Sequence, residues 1–250
     1  MSVGRYLAGE PAQEVAVPVF AYLVERDEGL ALFDLGCYPP ERAALFGRTV
    51  RDHRTPARAI RDLGRDPAEV TTVVVSHLHW DHCVGLEELP NARVLVQREE
   101  IRFAFAPEPE QWHPYDSWEL GRRAAWLDVL DRIEPIDGYL RLGEDLLIVP
   151  TPGHTPGSQS LLVRGERDFL LCGDLFVRYE SWRGTEFEGA TTTRLAPGIH
   201  TDLRAWRASM DLVERHGWTP LPAHDLRVPE VVAGRWSPWH DTPPPPPKVP

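Results

Sequence analysis

The sequence predicts an α/β protein in which two β-sheets pack against each other with helices outside. Short apolar segments rich in β-branched residues recur along the chain, and segments with helical spacing separate several of them. Both halves also follow one plan, in which strands end on a reactive residue and a helix follows. Because a sheet or helix with one apolar face must bury it against another layer, this pattern favours two packed sheets covered by helices.

The first elements are a hairpin and a short helix. Residues 15–36 are typical of two strands around a turn at Asp27-Glu28-Gly29, since β-rich apolar runs flank the turn residues. Residues 55–64 predict a helix with Thr55 as its N-cap and Gly64 just after its end.

A buried strand follows at residues 69–76, where the β-branched run is continuous rather than alternating with charges. Residues 92–97 predict another strand, and residues 98–105 a helix. Residues 106–126 are rich in Pro, Trp and acidic residues, which indicates an irregular excursion, with one helix expected over 118–130.

The second half contains more strands and one long helix. Strands are predicted at 138–143, 145–150, 158–165, 168–174 and 218–225. A helix is predicted over 202–215, ended by Gly217. Its expected buried stripe is Leu203, Trp206, Met210 and Val213. We expect one domain over residues 1–241 and an extended proline-rich tail over 242–250.

Composition narrows the class of function. The chain has 250 residues and a formal net charge of −11, which argues against a nucleic-acid partner, because such proteins need a basic surface. No apolar run approaches the roughly 18 residues of a membrane span. The three cysteines are odd in number and widely separated, so they fit a reducing cytoplasm better than a disulfide framework.

The segment "VVVSHLHWDHCVG" carries the strongest functional signal. His77, His79, Asp81 and His82 lie within six residues directly after the buried strand. A single histidine at a strand end is usually a structural residue, but four such groups crowded together without a cation would leave costly unpaired polar atoms. His77 and His79 are two residues apart, so both point to one side of an extended segment. Asp81 and His82 follow in a turn, so their side chains can face a second metal position nearby.

Three further strand ends carry residues of the same chemical type, namely His154, Asp174 and His224. Neutral imidazoles and carboxylates are the ligands that zinc accepts. Two neighbouring metal ions can activate a water molecule between them. The pattern therefore predicts a site for two metals.

"SHLHWDHCVG" resembles the H-x-H-x-D-H signature of the metallo-β-lactamase superfamily. "LFDLG", "TPGHTPGSQSLL", "CGD" and "AHD" stand in the order expected for that superfamily, so the resemblance covers about residues 17–225. It implies an αββα sandwich, the metallo-β-lactamase fold, with two mixed β-sheets flanked by helices and a metal site along one edge.

The resemblance also implies a role for each ligand candidate. His77, His79 and His154 would bind the first metal. Asp81, His82 and His224 would bind the second. Asp174 would bridge them, and Asp34 would orient ligands from behind. It implies two divalent ions per chain, expected to be zinc.

Within the superfamily, the sequence is most similar to N-acyl homoserine lactonases, which are quorum-quenching enzymes, in "VPVFAYLVERDEGLALFDLG", "ARVLVQREE" and "VPTPGHTPGSQSLLV". This likeness implies opening of an acyl lactone by a metal-bridging hydroxide, with Asp81 passing a proton to the leaving group. Those lactonases carry a tyrosine three residues after the bridging aspartate, where this chain has Val177. Tyr179 is the nearest tyrosine, and we expect it to stabilise the oxyanion.

Other functions stay open on the sequence. One is a thioesterase or arylesterase of the glyoxalase II type. Another is a mononuclear-iron sulfur dioxygenase, which the complete second ligand set disfavours. The third is a binding protein without catalysis, which the intact ligand set disfavours. The expected partner is a small acyl lactone or ester. The tryptophans of 106–126 could cover its acyl chain, pack on the core or pack on a second copy in a homodimer, and Trp80 could wall the pocket or pack on the sheet.

Overall fold

The computed structural model describes residues 2–3, 15–183, 186–187, 190–191 and 194–239. Two five-stranded mixed sheets form its centre. In spatial order, the first sheet contains β3 (Tyr22–Arg26), β4 (Gly29–Phe33), β5 (Val70–Val74), β6 (Arg93–Gln97) and β7 (Ile133–Ile136). The β3–β4 pair is antiparallel and the other neighbours are parallel.

The second sheet contains, in spatial order, β14 (Thr219–Leu221), β11 (Phe169–Leu171), β10 (Gln159–Val163), β9 (Leu146–Pro150) and β8 (Leu140–Leu142). Only β11 and β14 are parallel neighbours. As a result, β9, β11 and β14 run in the same direction and end at the same edge. Two short antiparallel pairs lie apart from these sheets, β1 (Ser2–Val3) with β2 (Val15–Ala16), and β12 (Glu186–Phe187) with β13 (Ala190–Thr191).

Helices cover both outer faces of the sheets. The α-helices are α1 (Pro40–Leu45), α2 (Pro56–Asp62), α3 (Arg98–Phe105), α4 (Trp112–Tyr115), α5 (Tyr179–Arg183), α6 (Leu203–His216) and α7 (Val228–Val232). Turns of 3-10 helix span Pro67–Glu69, Leu86–Glu88, Pro109–Gln111, Trp118–Leu120 and Ala125–Arg132. In the described part of the chain, no helix has both the length and the apolar character that crossing a membrane requires.

The layers follow from side-chain alternation along the strands. In β4, Ala31 and Phe33 pack in the cluster that contains Ile148 of the second sheet. Leu30 and Leu32 belong instead to the cluster that contains α2. Successive side chains of a strand point to opposite faces, so one strand serves both the space between the sheets and the outer helical layer. The predicted αββα sandwich is confirmed.

Most predicted elements are present at nearly the expected places. The hairpin of β3 and β4 turns at Asp27 and Glu28, and Thr55 caps α2 by accepting a hydrogen bond from the Arg58 amide at 3.3 Å. Asp202 caps α6, and Gly217 ends it with a left-handed φ of 67°. The proline-rich segment 242–250 lies outside the described residues.

Some local predictions are wrong. No α-helix spans 118–130, because Gly121 at a φ of 67° ends one 3-10 turn and Val129 has non-helical angles inside the next. Leu203 is 42% exposed, since it is the first residue of α6 and lies ahead of the buried stripe. Strand β7 was not predicted, because it contains Pro135 and lies at a sheet edge, where a proline is tolerated.

Two glycines let the loop after β9 approach both flanking helices. A Cβ atom on Gly153 would lie 2.4 Å from Cα of Trp206 in α6. A Cβ atom on Gly157 would lie 2.1 Å from the backbone nitrogen of Glu100 in α3. Neither distance is possible without moving backbone. The loop between these glycines is therefore held directly against α6 and α3.

Replacing Gly157 with alanine should destabilise the fold by overpacking. We expect Gly157→Ala to lower the free energy of unfolding by about 1–3 kcal/mol, the usual cost of inserting a methyl group into a packed site. Urea unfolding followed by circular dichroism measures this. Gly165→Ala is the matched control, because a Cβ there would meet only an ordinary contact at 3.7 Å. Equal stability of the two variants would contradict the packing argument.

Candidate metal centre

Seven potential metal ligands follow strands that end near one another. His77, His79, Asp81 and His82 follow β5, while His154 follows β9, Asp174 follows β11 and His224 follows β14. One backbone hydrogen bond joins the two sheets here, from Gln159 N to Ser76 O at 3.0 Å, and within the second sheet Ala223 N donates to Gly173 O at 3.1 Å. Strand ends on a rigid scaffold can hold functional side chains in a fixed arrangement.

The structure brings these seven side chains into three overlapping groups. Within each group, the potential ligand atoms lie within 4.8 Å of one another. The groups are His77, His79 and His154; His77, His82 and Asp174; and Asp81, His82 and His224. Six of the seven side chains are buried and Asp174 is partly buried.

In the first group, three ring nitrogens converge. Nδ1 of His79 lies 2.9 Å from Nε2 of His77 and 3.2 Å from Nε2 of His154. The two Nε2 atoms are also 3.2 Å apart. Whether these nitrogens carry protons depends on what the opposite nitrogen of each ring contacts.

Backbone carbonyls fix two of the rings. Nδ1 of His154 donates to Ile199 O at 2.7 Å, and Nδ1 of His224 donates to Pro18 O at 2.7 Å. A carbonyl oxygen can only accept, so each Nδ1 carries a proton. In the neutral ring, Nε2 is then free to bind a metal.

Asp34 organises two more rings. Its carboxylate accepts hydrogen bonds from Nδ1 of His82 at 2.8 Å, from the Ser76 hydroxyl at 2.8 Å and from the Ser76 amide at 2.6 Å. Because the Ser76 hydroxyl donates to Asp34, it accepts from Nδ1 of His77 at 2.9 Å. Asp34 therefore leaves the Nε2 atoms of both histidines facing the cluster. This is the orienting role that the resemblance implied.

The residues fit bound metal ions. Nε2 of His77 and Nε2 of His154 are both unprotonated and lie 3.2 Å apart, so they repel each other unless a cation lies between them. Nε2 of His82, Nε2 of His224 and Oδ1 of Asp174 are buried and lack a partner of hydrogen-bond geometry within the described residues, although Oδ1 lies 3.1 Å from Nε2 of His224. Such orphaned polar atoms are rare in proteins, and a bound ion is one of their ordinary explanations. Imidazole and carboxylate groups are also the donors that zinc prefers.

Asp174 lies between the two ends of the cluster. The first end contains His77, His79 and His154, and the second end contains Asp81, His82 and His224. Its Oδ2 is 3.5 Å from Nε2 of His154, whereas its Oδ1 is 3.1 Å from Nε2 of His224 and 3.5 Å from Nε2 of His82. Asp81 lies at the second end, 3.7 Å from Nε2 of His224. Asp174 thus contacts histidines at both ends of the cluster, whereas Asp81 contacts histidine at the second end.

The electrostatics of the two ends differ. Burial lowers the pKa of His77, His79 and His154, which favours the neutral form that binds metals. Burial also acts on His82 and His224, but nearby carboxylates outweigh it and raise their pKa. A metal entering the second end must therefore displace protons.

Burial would by itself raise the pKa of the Asp174 carboxyl. The positive charges of His224 and His82 outweigh it and hold this pKa well below its usual range. Asp174 therefore stays ionised inside the cluster, as a metal ligand must be.

A cavity of about 310 Å³ lies beside the second end. Its wall includes Pro18, whose carbonyl holds His224, and Cys37, three residues after Asp34. Its wall combines apolar side chains such as Val17 and Val19 with the polar and charged side chains of residues 51–54. The cavity therefore offers both apolar and polar surface near the ligand cluster.

The structure contradicts the prediction for Tyr179. This residue is fully buried in the hydrophobic core, and its hydroxyl donates to Pro220 O at 2.9 Å. Its only proton is therefore occupied by the backbone of β14 rather than directed at the ligand cluster. Val177, at the position where the lactonases have a tyrosine, has no donor to offer.

The tryptophans mostly pack within the protein. Trp80 stacks on Tyr38 with ring centroids 5.8 Å apart, and the guanidinium of Arg48 lies over it at 4.2 Å. Trp126 is buried against Phe105. By contrast, Trp118 is 70% exposed, so it is the one available to cover a ligand or meet another protein.

Sequence reasoning missed Glu100, a fully buried carboxylate in α3. It accepts hydrogen bonds from the Leu78 amide at 2.8 Å, the Tyr115 hydroxyl at 2.5 Å and the Thr155 hydroxyl at 2.6 Å. These partners belong to the His77–His79 loop, to α4 and to the His154 loop. Glu100 therefore connects the loops that carry the first group. A glutamate in the first turn of a helix carries no signal of this role.

Comparison with known proteins agrees with this arrangement. The family model of the metallo-beta-lactamase superfamily matches residues 15–217. The chain belongs to this superfamily. The superfamily resemblance drawn from the sequence motifs is confirmed.

Two curated relatives extend the comparison. N-acyl homoserine lactonase AttM of Rhizobium radiobacter is 34% identical over 170 residues, which cover 66% of this chain and 62% of that protein. A protein named "Probable metallo-hydrolase" of Mycobacterium tuberculosis is 31% identical over 188 residues, which cover 68% of this chain and 59% of that protein. The chain spans about three fifths of the length of these two relatives.

The fold also matches solved structures. A crystal structure of a Bacillus thuringiensis AiiA variant with N-decanoyl-L-homoserine bound at its active site aligns with a TM-score of 0.67. The alignment covers 92% of this chain and 94% of that chain at 24% identity. At this level of identity, the match establishes the shared fold.

The position of Tyr179 predicts a structural effect of its hydroxyl. Tyr179→Phe leaves the buried Pro220 carbonyl without its donor, which should lower the free energy of unfolding by about 1–3 kcal/mol. The amount of zinc taken up should not change. Thermal unfolding and elemental analysis measure the two effects. A variant of unchanged stability that binds less zinc would place the hydroxyl at the metal centre after all.

Proposed function

We propose that this protein is a dinuclear metal-dependent hydrolase that opens acyl lactones of the N-acyl homoserine lactone type. The observation that carries the proposal is the convergence of five histidines and two carboxylates, several with orphaned inner atoms, at one end of the fold. Membership of the superfamily and the similarity to a curated lactonase support it.

The proposed ligands follow the observed groups. His77, His79 and His154 would hold the first ion. Asp81, His82 and His224 would hold the second, and Asp174, which contacts both ends, would bridge them. The expected ion is zinc, and its chemistry here would be to lower the pKa of water and to polarise the substrate carbonyl.

The chain's own groups would do the remaining work. The cavity beside Pro18 and Cys37 would hold the acyl chain against the apolar part of its wall, which includes Val17 and Val19. Asp81 would carry a proton to the leaving alkoxide, because its carboxylate lies in the cluster beside His224. With Val177 and Tyr179 out of this role, we assign no tyrosine hydroxyl to the oxyanion.

A simple ester or a thioester would need the same machinery, so the substrate class needs a direct test. We expect purified zinc-loaded protein to hydrolyse N-acyl homoserine lactones of several chain lengths with higher kcat/KM than aryl esters or acyl thioesters. Faster turnover of thioesters would replace the lactonase proposal with the thioesterase alternative. No turnover of any of these compounds would leave a binding protein.

Metal content tests the dinuclear part of the proposal. Seven ligand residues in two sets should bind about two zinc ions per chain, since structural and catalytic zinc sites use three or four protein ligands each. Elemental analysis of protein purified without chelator measures this ratio. A reproducible content of one iron per chain would favour the dioxygenase alternative instead.

Asp81 should matter for turnover more than for folding. Asp81→Asn keeps the volume but removes the charge and the ability to carry a proton, and should lower kcat about a hundredfold or more. It should also weaken binding of the second metal. Asp145→Asn is the control, because Asp145 pairs with Arg26 outside the cluster. Full activity of Asp81→Asn with both metals bound would place the proton carrier elsewhere.

A further inference from the structure

We propose that Gln111 is a positioning residue that selects the ring nitrogen with which His79 faces the first metal. The inference rests on the proposed metal centre and names a residue that no ligand motif contains. Oε1 of Gln111 lies 3.0 Å from Nε2 of His79. An amide oxygen can only accept, so this contact keeps the proton on Nε2 and leaves Nδ1 unprotonated.

His79 differs in orientation from the other histidines of the cluster. His77, His82, His154 and His224 each bind an outer partner through Nδ1 and turn Nε2 inward. His79 turns Nδ1 inward and Nε2 outward. Its outward nitrogen is therefore Nε2, and this nitrogen needs a hydrogen-bond partner. Gln111 supplies it from the end of the 3-10 turn Pro109–Gln111.

The surroundings hold Gln111 in place. The residue is 1% exposed, and its backbone N–H donates to Glu108 O at 2.8 Å. Four residues later, the ring of Tyr115 packs edge-on against His79 at 4.5 Å, and its hydroxyl binds Glu100. The short segment from Gln111 to Tyr115 therefore supports His79 through two separate contacts.

The opposite amide orientation would be incompatible with metal binding. It would place the amide NH₂ group against Nε2 of His79, which would then have to accept, and Nδ1 would carry the proton. That proton would point toward Nε2 of His77, only 2.9 Å away. Nε2 of Gln111 has no hydrogen-bond partner among the described residues, so the contact with His79 is the one that orients this amide.

Zinc affinity provides the first test. Metal-free wild-type protein, Gln111→Leu and Gln111→Glu are titrated with zinc against a chromophoric chelator. Gln111→Leu has no acceptor and should bind at least one zinc equivalent about 10–100-fold more weakly, the usual effect of removing an outer-shell partner. Gln111→Glu restores an acceptor oxygen and should stay close to wild type. Gln97→Leu is the matched control, since Gln97 is also a buried amide but binds Gly138 and Gln159.

The tautomer of His79 provides a second test that a purely structural role would not affect. In zinc-loaded protein labelled with ¹⁵N-histidine, the Nε2–H proton of His79 should give a signal that exchanges slowly with water. The signal should persist in Gln111→Glu and disappear in Gln111→Leu. If Gln111→Leu does not fold, Gln111→Asn serves, because its shorter side chain withdraws the acceptor while keeping the amide.

The two proposals fail in different ways. Wild-type protein that takes up no zinc would overturn the proposed function. Wild-type protein that binds two zinc ions, with unchanged affinity and an unchanged His79 signal in the folded Gln111 variants, would overturn only the role of Gln111. Weaker binding in Gln111→Leu and Gln111→Glu alike would also overturn it, because the acceptor would then not be what matters.

Discussion

The structure depends on the need to satisfy five imidazole rings that are buried together. An unpaired polar group in a protein interior is costly, and Nε2 of His82 and Nε2 of His224 have no hydrogen-bond partner within the described part of the chain. The chain meets part of this cost by giving each ring an outer partner: a backbone carbonyl for His154 and His224, the Asp34–Ser76 pair for His77 and His82, and Gln111 for His79. The other nitrogen of each ring points inward, where a bound cation would satisfy it.

The sheets make this convergence possible. Since β9, β11 and β14 run in one direction, the loops that follow them emerge at the same edge. Close backbone approach then brings the loops together. Gly173 at a φ of 50° lies against Ser76, where a Cβ would be 2.7 Å from the Ser76 side chain. The buried carboxylate of Glu100 joins the β5 loop to the β9 loop. Small residues and one buried acid therefore decide how closely the ligands approach.

The placement of Tyr179 also bears on function. A tyrosine two positions away from the expected one has become part of the core, so this chain differs from the lactonase pattern at the group that would stabilise the oxyanion. On the proposed function, bound metal ions would have to carry more of that charge, and substrates with better leaving groups would gain an advantage. The cavity near the second end of the cluster is compatible with either an acyl lactone or an acyl ester.

The layered fold and the candidate ligands could be predicted from the sequence alone. Both depend on patterns among neighbouring residues. Alternating or continuous apolar runs indicate strands, and the compact H-x-H-x-D-H segment has no common structural explanation. Residues that act through distant contacts could not be predicted in this way. Glu100 lies 22 residues from Leu78 and 55 from Thr155, and Gln111 lies 32 residues from His79, so no local pattern links them. Tyr179 is the opposite case. It follows Asp174 closely in the sequence, which predicted a place at the site, but its hydroxyl points to the backbone of β14 instead. Sequence spacing therefore shows which reactive groups are available. Which of these groups meet depends on the folded chain, because hydrogen bonds and packing require distances that the fold creates.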